Sequence, residues 1–280
     1  PKIAFTAVGH LSNDVYKIWT ASRLNKGLKL IASDHGGNLE ETRDFFSNRI
    51  YDRFVQWQKT SFRRVVQLPP NIFLGDKKTI IRERKNKILF ILTCTDFFKS
   101  NIFDRDKNDY DDYLNFKKLI LDANFKNTEE FFFKIHPSSP FKDLIIEDIS
   151  KSFGKEKCDI SKFNSIFSNY KLLIDTNPQT TYLQCLRSGV PTLLYYDQSF
   201  FKMNKKLDKS FKAMKKHKLI FSNLKNLNLH LLKIVENPHN WWNSREIKTV
   251  VNNFNNNCSL KTKNDLKTWE YFLKNYEKNI

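Results

Sequence analysis

Two doubly wound α/β domains of Rossmann-like build are what this sequence predicts, on three observations. Short apolar runs alternate with amphipathic stretches of about 10–15 residues, the pattern of parallel strands covered by helices on both faces. The runs fall into two series, separated by Pro69-Pro70 and a polar stretch over 75–86 that reads as a linker. The chain has 280 residues, a length that suggests about two domains.

In the first series, residues 2–7 read as a strand and 13–25 as a helix ending near Gly27. A second strand follows at 28–32, a helix at 39–46, and two more strands at 53–57 and 64–68. The second series opens with an apolar strand at 87–93 and a helix over 109–123. Strand 131–135, helix 141–150, strand 171–174, helix 179–188 and strand 192–196 come next, then a short strand at 219–221. From 222 onward the chain reads as several helices broken at Pro238. The division expected is 1–84 for a first domain with its linker, 85–240 for a second, and 241–280 for C-terminal helices free to cross back to the first. No repeat of fixed period and no heptad pattern is present. The chain begins at Pro1 without a Met, and its first residues lack a leader's charged start and long apolar core. Residue 1 is therefore read as an internal boundary and the first domain as incomplete.

Composition excludes several classes. Hydrophobic residues make up 40%, with 25 Phe, 10 Tyr and 5 Trp, which is too much apolar mass for a disordered chain. No apolar run approaches the ~18 residues of a membrane span. Cys94, Cys158, Cys185 and Cys258 are widely spaced with no CxxC pair, which argues against a zinc ribbon or disulfide scaffold and fits a reducing compartment. Lys and Arg number 48 against 30 Asp and Glu, a net charge of +18. The cations are spread thinly, with short clusters such as 212–218, and no nucleic-acid-binding pattern accompanies them. Richness in Lys, Asn, Phe and Ile points to A/T-rich codons as part of the excess. What the charge does favour is attraction to anions, such as nucleotides, phosphorylated sugars or an acidic membrane face.

Ligands of open parallel sheets bind where strands end and helices begin. Three such junctions carry polar residues that need a reason. In Asp175-Thr-Asn-Pro-Gln-Thr-Thr, Asn177 reads as an N-cap and Pro178 as the first helical residue. Gly189 takes the C′ position, with Pro191 beyond it. Free backbone N–H groups, the dipole and the hydroxyls of Thr180 and Thr181 together suit a phosphate. A well-capped helix that binds nothing is the plain alternative. The second junction is Lys134-Ile-His-Pro-Ser-Ser, where Ser139-Pro140 reads as a cap for the next helix and His136 can donate to a phosphate or base. The third is Asp34-His-Gly-Gly, with capping-box spacing between Asn38 and Glu41. Gly36 and Gly37 allow close approach of backbone or substrate. His35 suits a general base or phosphate contact facing an interdomain cleft, and Asp34 could orient it or act itself. His10, His217, His230 and His239 lack metal-ligand spacing and read as surface residues. Glu129-Glu130 and Asp109, Asp111 and Asp112 read as solvated helix ends. No P-loop, GxGxxG or GxSxG occurs and no DxD run is placed for a metal after a strand, so neither a metal nor another cofactor is expected.

Strand-end His-Gly-Gly, His-Pro after a strand and a Thr-rich helix start together resemble GT-B glycosyltransferases. More closely, the chain is similar to the leptospiral-type transferases of bacterial surface-carbohydrate clusters. The likeness runs collinearly over most of 28–275, through Asp34-His-Gly-Gly, Tyr51-Asp-Arg-Phe-Val-Gln-Trp57 and Asp175 to Thr192. It extends to Tyr195-Tyr196-Asp197, Trp241-Trp242 and the segment from Phe254 to Cys258. The His-Pro and Thr-Thr loops also resemble donor loops of CMP-sialic acid, Kdo and CDP-glycerol transferases. Asn38-Leu39 replaces the further glycine usual after His-Gly-Gly, and Gln184 stands where GT-B donor sites usually carry an acid. An amide accepts from ribose hydroxyls less strongly than a carboxylate.

The resemblance implies a GT-B-like, metal-independent transferase of a sugar or polyol phosphate from a nucleotide-activated donor, CMP- or CDP-type, to a cell-surface carbohydrate acceptor. Lys134, His136, Ser138, Asn177, Thr180, Thr181 and Gln184 would bind the donor. His35 and Asp34 would serve catalysis, with Gly36 and Gly37 as cleft backbone. A cytoplasmic location, with contact to an acidic inner-membrane face, goes with it, and no specific nucleic acid. A catalytically silent binding or scaffold protein of a carbohydrate-assembly complex is the alternative, motivated by Gln184 and the short first domain.

Overall fold

The computed structural model describes residues 2–9, 13–37, 39, 50–59, 62–74, 87–92, 109–122, 130–159, 169–196 and 205–276. It divides into two compact units, one of Pro1–Lys77, Met203–Asp208 and Asn253–Ile280, the other of Lys78–Lys202 and Lys209–Asn252. Apart from Leu39, the helix expected at 39–46 lies outside the described residues, as do the linker at 75–86, both ends of the Asn38–Glu41 cap, His10 and Asp197.

In the first unit, β1 (Ile3–Thr6), β2 (Lys29–Ser33), β3 (Arg53–Gln56) and β4 (Val65–Gln67) form a parallel sheet in that order. β2 is apolar at successive positions because both of its faces are covered. Leu30 and Ala32 point to the side of Trp19, which lies on α1 (Asp14–Leu24). Ile31 points to the side of Trp269 and Phe272, on the C-terminal helix Asp265–Lys274. Asn13 caps α1 by accepting from Tyr16 N–H at 2.9 Å, and Gly27, at φ 81°, turns the chain into β2.

The second unit holds β5 (Ile88–Ile91), β6 (Phe131–Lys134), β7 (Leu172–Asp175), β8 (Thr192–Tyr195) and β9 (Ile220–Phe221), parallel throughout in the order β6-β5-β7-β8-β9. β5 lies between β6 and β7 and is wholly buried. One face, with Phe90, Phe133 and Ile174, packs on α2 (Asp109–Asp122) and α3 (Lys142–Ser152) through Tyr113, Phe116, Ile145 and Ile149. The other face, with Leu89, Ile91 and Leu173, packs on Cys185 of α4 (Thr180–Ser188). Gly189 ends α4 in the left-handed region at φ 75°, as its C′ position requires.

Four helices follow in sequence: α5 (Asp208–Lys216), α6 (Leu224–Ile234), α7 (Pro238–Asn243) and α8 (Arg245–Cys258), then α9, the Asp265–Lys274 helix already described. The sequence pattern gives no sign of α5, which carries Lys212, Lys215 and Lys216 of the 212–218 cluster. Only Phe211 and Met214 of α5 are buried, so its apolar stripe is a single pair among lysines. Pro238 starts α7 at the first helical turn, capped by Asn237, rather than merely breaking a helix. The last turn of α8 belongs to the first unit. There Asn257 O accepts from Lys59 N–H at 2.7 Å and Asn256 O from the Gln67 amide at 2.9 Å, partners for carbonyls that a helix end leaves unbonded. No helix among the described residues is long and apolar enough to cross a membrane.

Candidate functional site at the carboxyl edge of the second sheet

The order of the second sheet reverses at β5, since the chain goes first to β6 on one side and then to β7 on the other. Such a reversal opens a crevice beyond the strand ends, where open α/β sheets bind ligands. Because β6 and β7 flank β5, their two following loops stand on one edge about 10 Å apart, two strand spacings. Thr176 Oγ1 donates to Ile91 O at 3.2 Å, tying the ends of β7 and β5 together.

Asp175 shapes the loop after β7. It has no solvent exposure, and its Oδ1 accepts the N–H of Asn177 at 2.9 Å, with Thr176 N–H adding a second bond. Its Oδ2 is buried without a hydrogen bond. Burial, reinforced by the charge of Asp112, pushes the Asp175 carboxyl up to about 7 against those two bonds. The chain then makes a tight turn, with Gln179 N–H donating to Asn177 O at 2.8 Å. Asn177 is therefore not the cap, and Pro178 lies in the turn before α4. Gln179 occupies the cap position, and its side chain makes no hydrogen bond to the helix start. The reason is local: Asp175 holds the backbone at Asn177, so the helix cannot begin there. Thr180, Thr181 and Gln184 are half-buried, with Thr180 and Gln184 one turn apart on one face of α4.

In the loop after β6, His136, Pro137 and Ser138 are exposed, and Ser139 is buried. Ser138 N–H donates to His136 Nδ1 at 3.2 Å, and Ser139 N–H to His136 O at 3.0 Å. Ser139 does not cap α3 from the expected position. Its hydroxyl donates to Asp109 Oδ2 and accepts from Phe141 N–H at 3.1 Å, while Phe141 stands at the cap position without a side-chain bond. Lys134 turns to the interior, where its ammonium lies 3.5 Å from Asp159 Oδ1 and donates to Asp159 O at 3.1 Å. Asp159 also accepts the hydroxyl of Tyr170. Lys134 is thus committed to an internal ion pair, not left as an open cation.

The third junction lies in the first unit. Asp34 Oδ2 accepts Trp57 N–H at 3.0 Å and Asp34 N–H donates to Val55 O at 2.9 Å, so Asp34 joins the ends of β2 and β3. His35 is exposed, Gly36 half-buried and Gly37 buried.

Several polar residues sit elsewhere than their sequence suggests. Asp109 and Asp112 are buried, not solvated, whereas Asp111 is exposed. Their spacing held the signal: 109, 112, 116 and 119 share the stripe of α2 that packs on the sheet. Glu130 pairs with Lys171 at 2.9 Å at the start of the sheet. His230 is half-buried between Phe221 and Trp241, and burial, with the charges of Lys218 and Lys233, holds its imidazole down to about 4. Trp242 is buried and Trp241 packs against the core, a structural use of the pair. Among the described residues, no three His, Cys, Asp or Glu side chains are grouped to hold a metal ion.

A family model described as LIC12162 family transferase matches residues 1–273. The chain belongs to the LIC12162 transferase family. No curated protein matches it. Its fold is similar to that of three solved structures. One is a chain of the GtfA/B complex, at 13% identity and a TM-score of 0.53, over 94% of this chain and 55% of that one. Another is the wall teichoic acid polymerase TagF, at 12% identity and 0.52, over 90% and 70%. The third is a glycosyltransferase from Rickettsia africae ESF-5, at 12% identity and 0.50, over 100% and 78%. This LIC12162 family member therefore spans little more than half the length of the GtfA/B chain. Its two parallel sheets, of four and five strands among the described residues, make an α/β fold similar to that of these structures.

Proposed function

We propose that this transferase moves a glycosyl or polyol-phosphate group from a nucleotide-activated donor to a carbohydrate acceptor, and that the second unit holds the donor. The observation that carries the reading is the pairing, on one sheet edge at the reversal of strand order, of the His136 turn with the α4 start. The side chain of Gln179 makes no hydrogen bond to that helix start, and the dipole of a helix N-terminus favours a phosphate beside it. Ser138, Asn177, Thr180, Thr181 and Gln184 complete the donor site, and Lys134 serves it by holding the Asp159 segment. Fixed dipoles at the helix start, with the imidazole of His136, take up the charge of the departing phosphate. His35 is the candidate general base, and Asp34 and Gly37 shape the loop that carries it. The acceptor is a surface carbohydrate, and CMP or CDP is the nucleotide expected in the donor. Because the protein's own groups supply the positive field, EDTA should leave donor binding unchanged. A thermal-shift screen of CMP, CDP, UDP and GDP tests the reading. Stabilisation by one of them supports it, and salt-sensitive RNA binding with no response to any nucleotide contradicts it.

A further inference from the structure

Asp109 opens α2 and has no solvent exposure. A carboxylate in the first turn of a helix favours the dipole, but exposed Asp111 already supplies that on the same turn. Burying Asp109 as well costs solvation, and its Oδ1 is buried without a hydrogen bond. What it gains is Ser139, whose hydroxyl donates to Oδ2. Ser139 is in turn the knot of the loop after β6. Its oxygen accepts Phe141 N–H at 3.1 Å and its N–H donates to His136 O at 3.0 Å. The residue before it, Ser138, donates its N–H to His136 Nδ1 at 3.2 Å. A ring nitrogen that accepts a hydrogen bond carries no hydrogen, so the neutral imidazole bears its hydrogen on Nε2.

We propose that Asp109 is a positioning residue. Acting through Ser139, it fixes the 136–139 turn so that His136 meets its ligand as a neutral Nε2–H donor to a phosphoryl oxygen. The ligand part rests on the donor-binding reading above; the positioning part does not. It also assigns His136 a role as donor rather than base.

Long-range ¹H–¹⁵N correlation spectra of histidine-labelled protein at about pH 9 read the tautomer directly. The chain has six His, and His136→Gln identifies the resonance in question. The wild-type ring is expected as the Nε2–H form. Ser139→Ala and Asp109→Ala should each release the turn and give a mixture of both tautomers. Asp109→Asn, whose amide oxygen still accepts the Ser139 hydroxyl, should restore the Nε2–H form. An Nδ1–H ring in the wild type, or an Nε2–H ring unchanged by both alanine variants, overturns the proposal. If Asp109→Ala does not fold, Ser139→Ala carries the test, because it removes a single hydroxyl. Addition of CMP should shift the His136 signal, with affinity roughly tenfold weaker in Ser139→Ala. The expected tautomer with no response to CMP, CDP, UDP or GDP overturns the donor reading and leaves the positioning of His136 standing.

Discussion

The carboxylate of Asp175 accepts the backbone N–H of Asn177 at 2.9 Å, two residues ahead of it, and this bond decides where α4 starts. The chain is held in a turn through Pro178, and the helix begins at Thr180 with its first N–H groups uncapped by Gln179. Structure at the candidate site thus follows from a residue at the strand end, not from the helix's own cap.

Asp175 should make stability depend on pH in a defined direction. Its folded-state carboxyl is raised from 3.8 to about 7, so the native state holds a proton that the unfolded state releases. That contribution is fully present below about pH 4 and is lost as pH rises through 7. Asp175→Asn keeps an oxygen for Asn177 N–H and removes the buried charge. The melting temperature of this variant should exceed that of the wild type at about pH 8, and the gain should shrink toward pH 4.

The indole N–H of Trp269 donates to Pro69 O at 2.7 Å, and its ring packs edge-on to Phe5 at 5.6 Å and against Phe272 in the first unit. Trp269→Ala should destabilise that unit by about 3–5 kcal/mol through the cavity and the unpaired carbonyl. Trp269→Phe, which loses mainly the hydrogen bond and part of the volume, should cost less. Chemical denaturation of both variants measures the difference.

Lys218 follows α5 with φ 60°, the left-handed region, where its N–H donates to Lys215 O at 3.0 Å. A side chain there costs roughly 1–2 kcal/mol that glycine does not incur. Lys218→Gly should therefore raise stability by about 0.5–1 kcal/mol after glycine's larger unfolded-state entropy is counted. It also removes a cation beside His230, whose imidazole should then charge slightly more readily on acidification. Thermal melts, together with histidine titration by NMR, read both effects.

Much of the fold was legible because strands covered on both faces are apolar at successive positions. Ile88–Ile91 lies within the range its sequence suggests, Leu172–Asp175 runs one residue past the strand expected at 171–174, and Gly27 and Gly189 stop helices as expected. α5 escaped notice because two buried side chains do not make a visible stripe. At the site, the two loops of the second sheet were legible from strand ends and turn residues. The hydrogen bonds that shape them were not. Asp109 and Asp112 are acids in positions that sequence alone assigns to solvent, and only packing against a fully formed sheet turns them inward. Lys134 looked like an open cation for the same reason, since Asp159 is 25 residues away and reaches it through the pairing of Phe133 with Cys158.

Isothermal titration calorimetry of CMP and CDP against wild type, Thr180→Ala and His136→Ala tests the central claim most directly. The account predicts saturable 1:1 binding of one nucleotide, weakened about 10–100-fold by each substitution, since each removes a hydrogen bond to a charged phosphate. Binding of equal affinity in all three proteins, or to none of them, would contradict it.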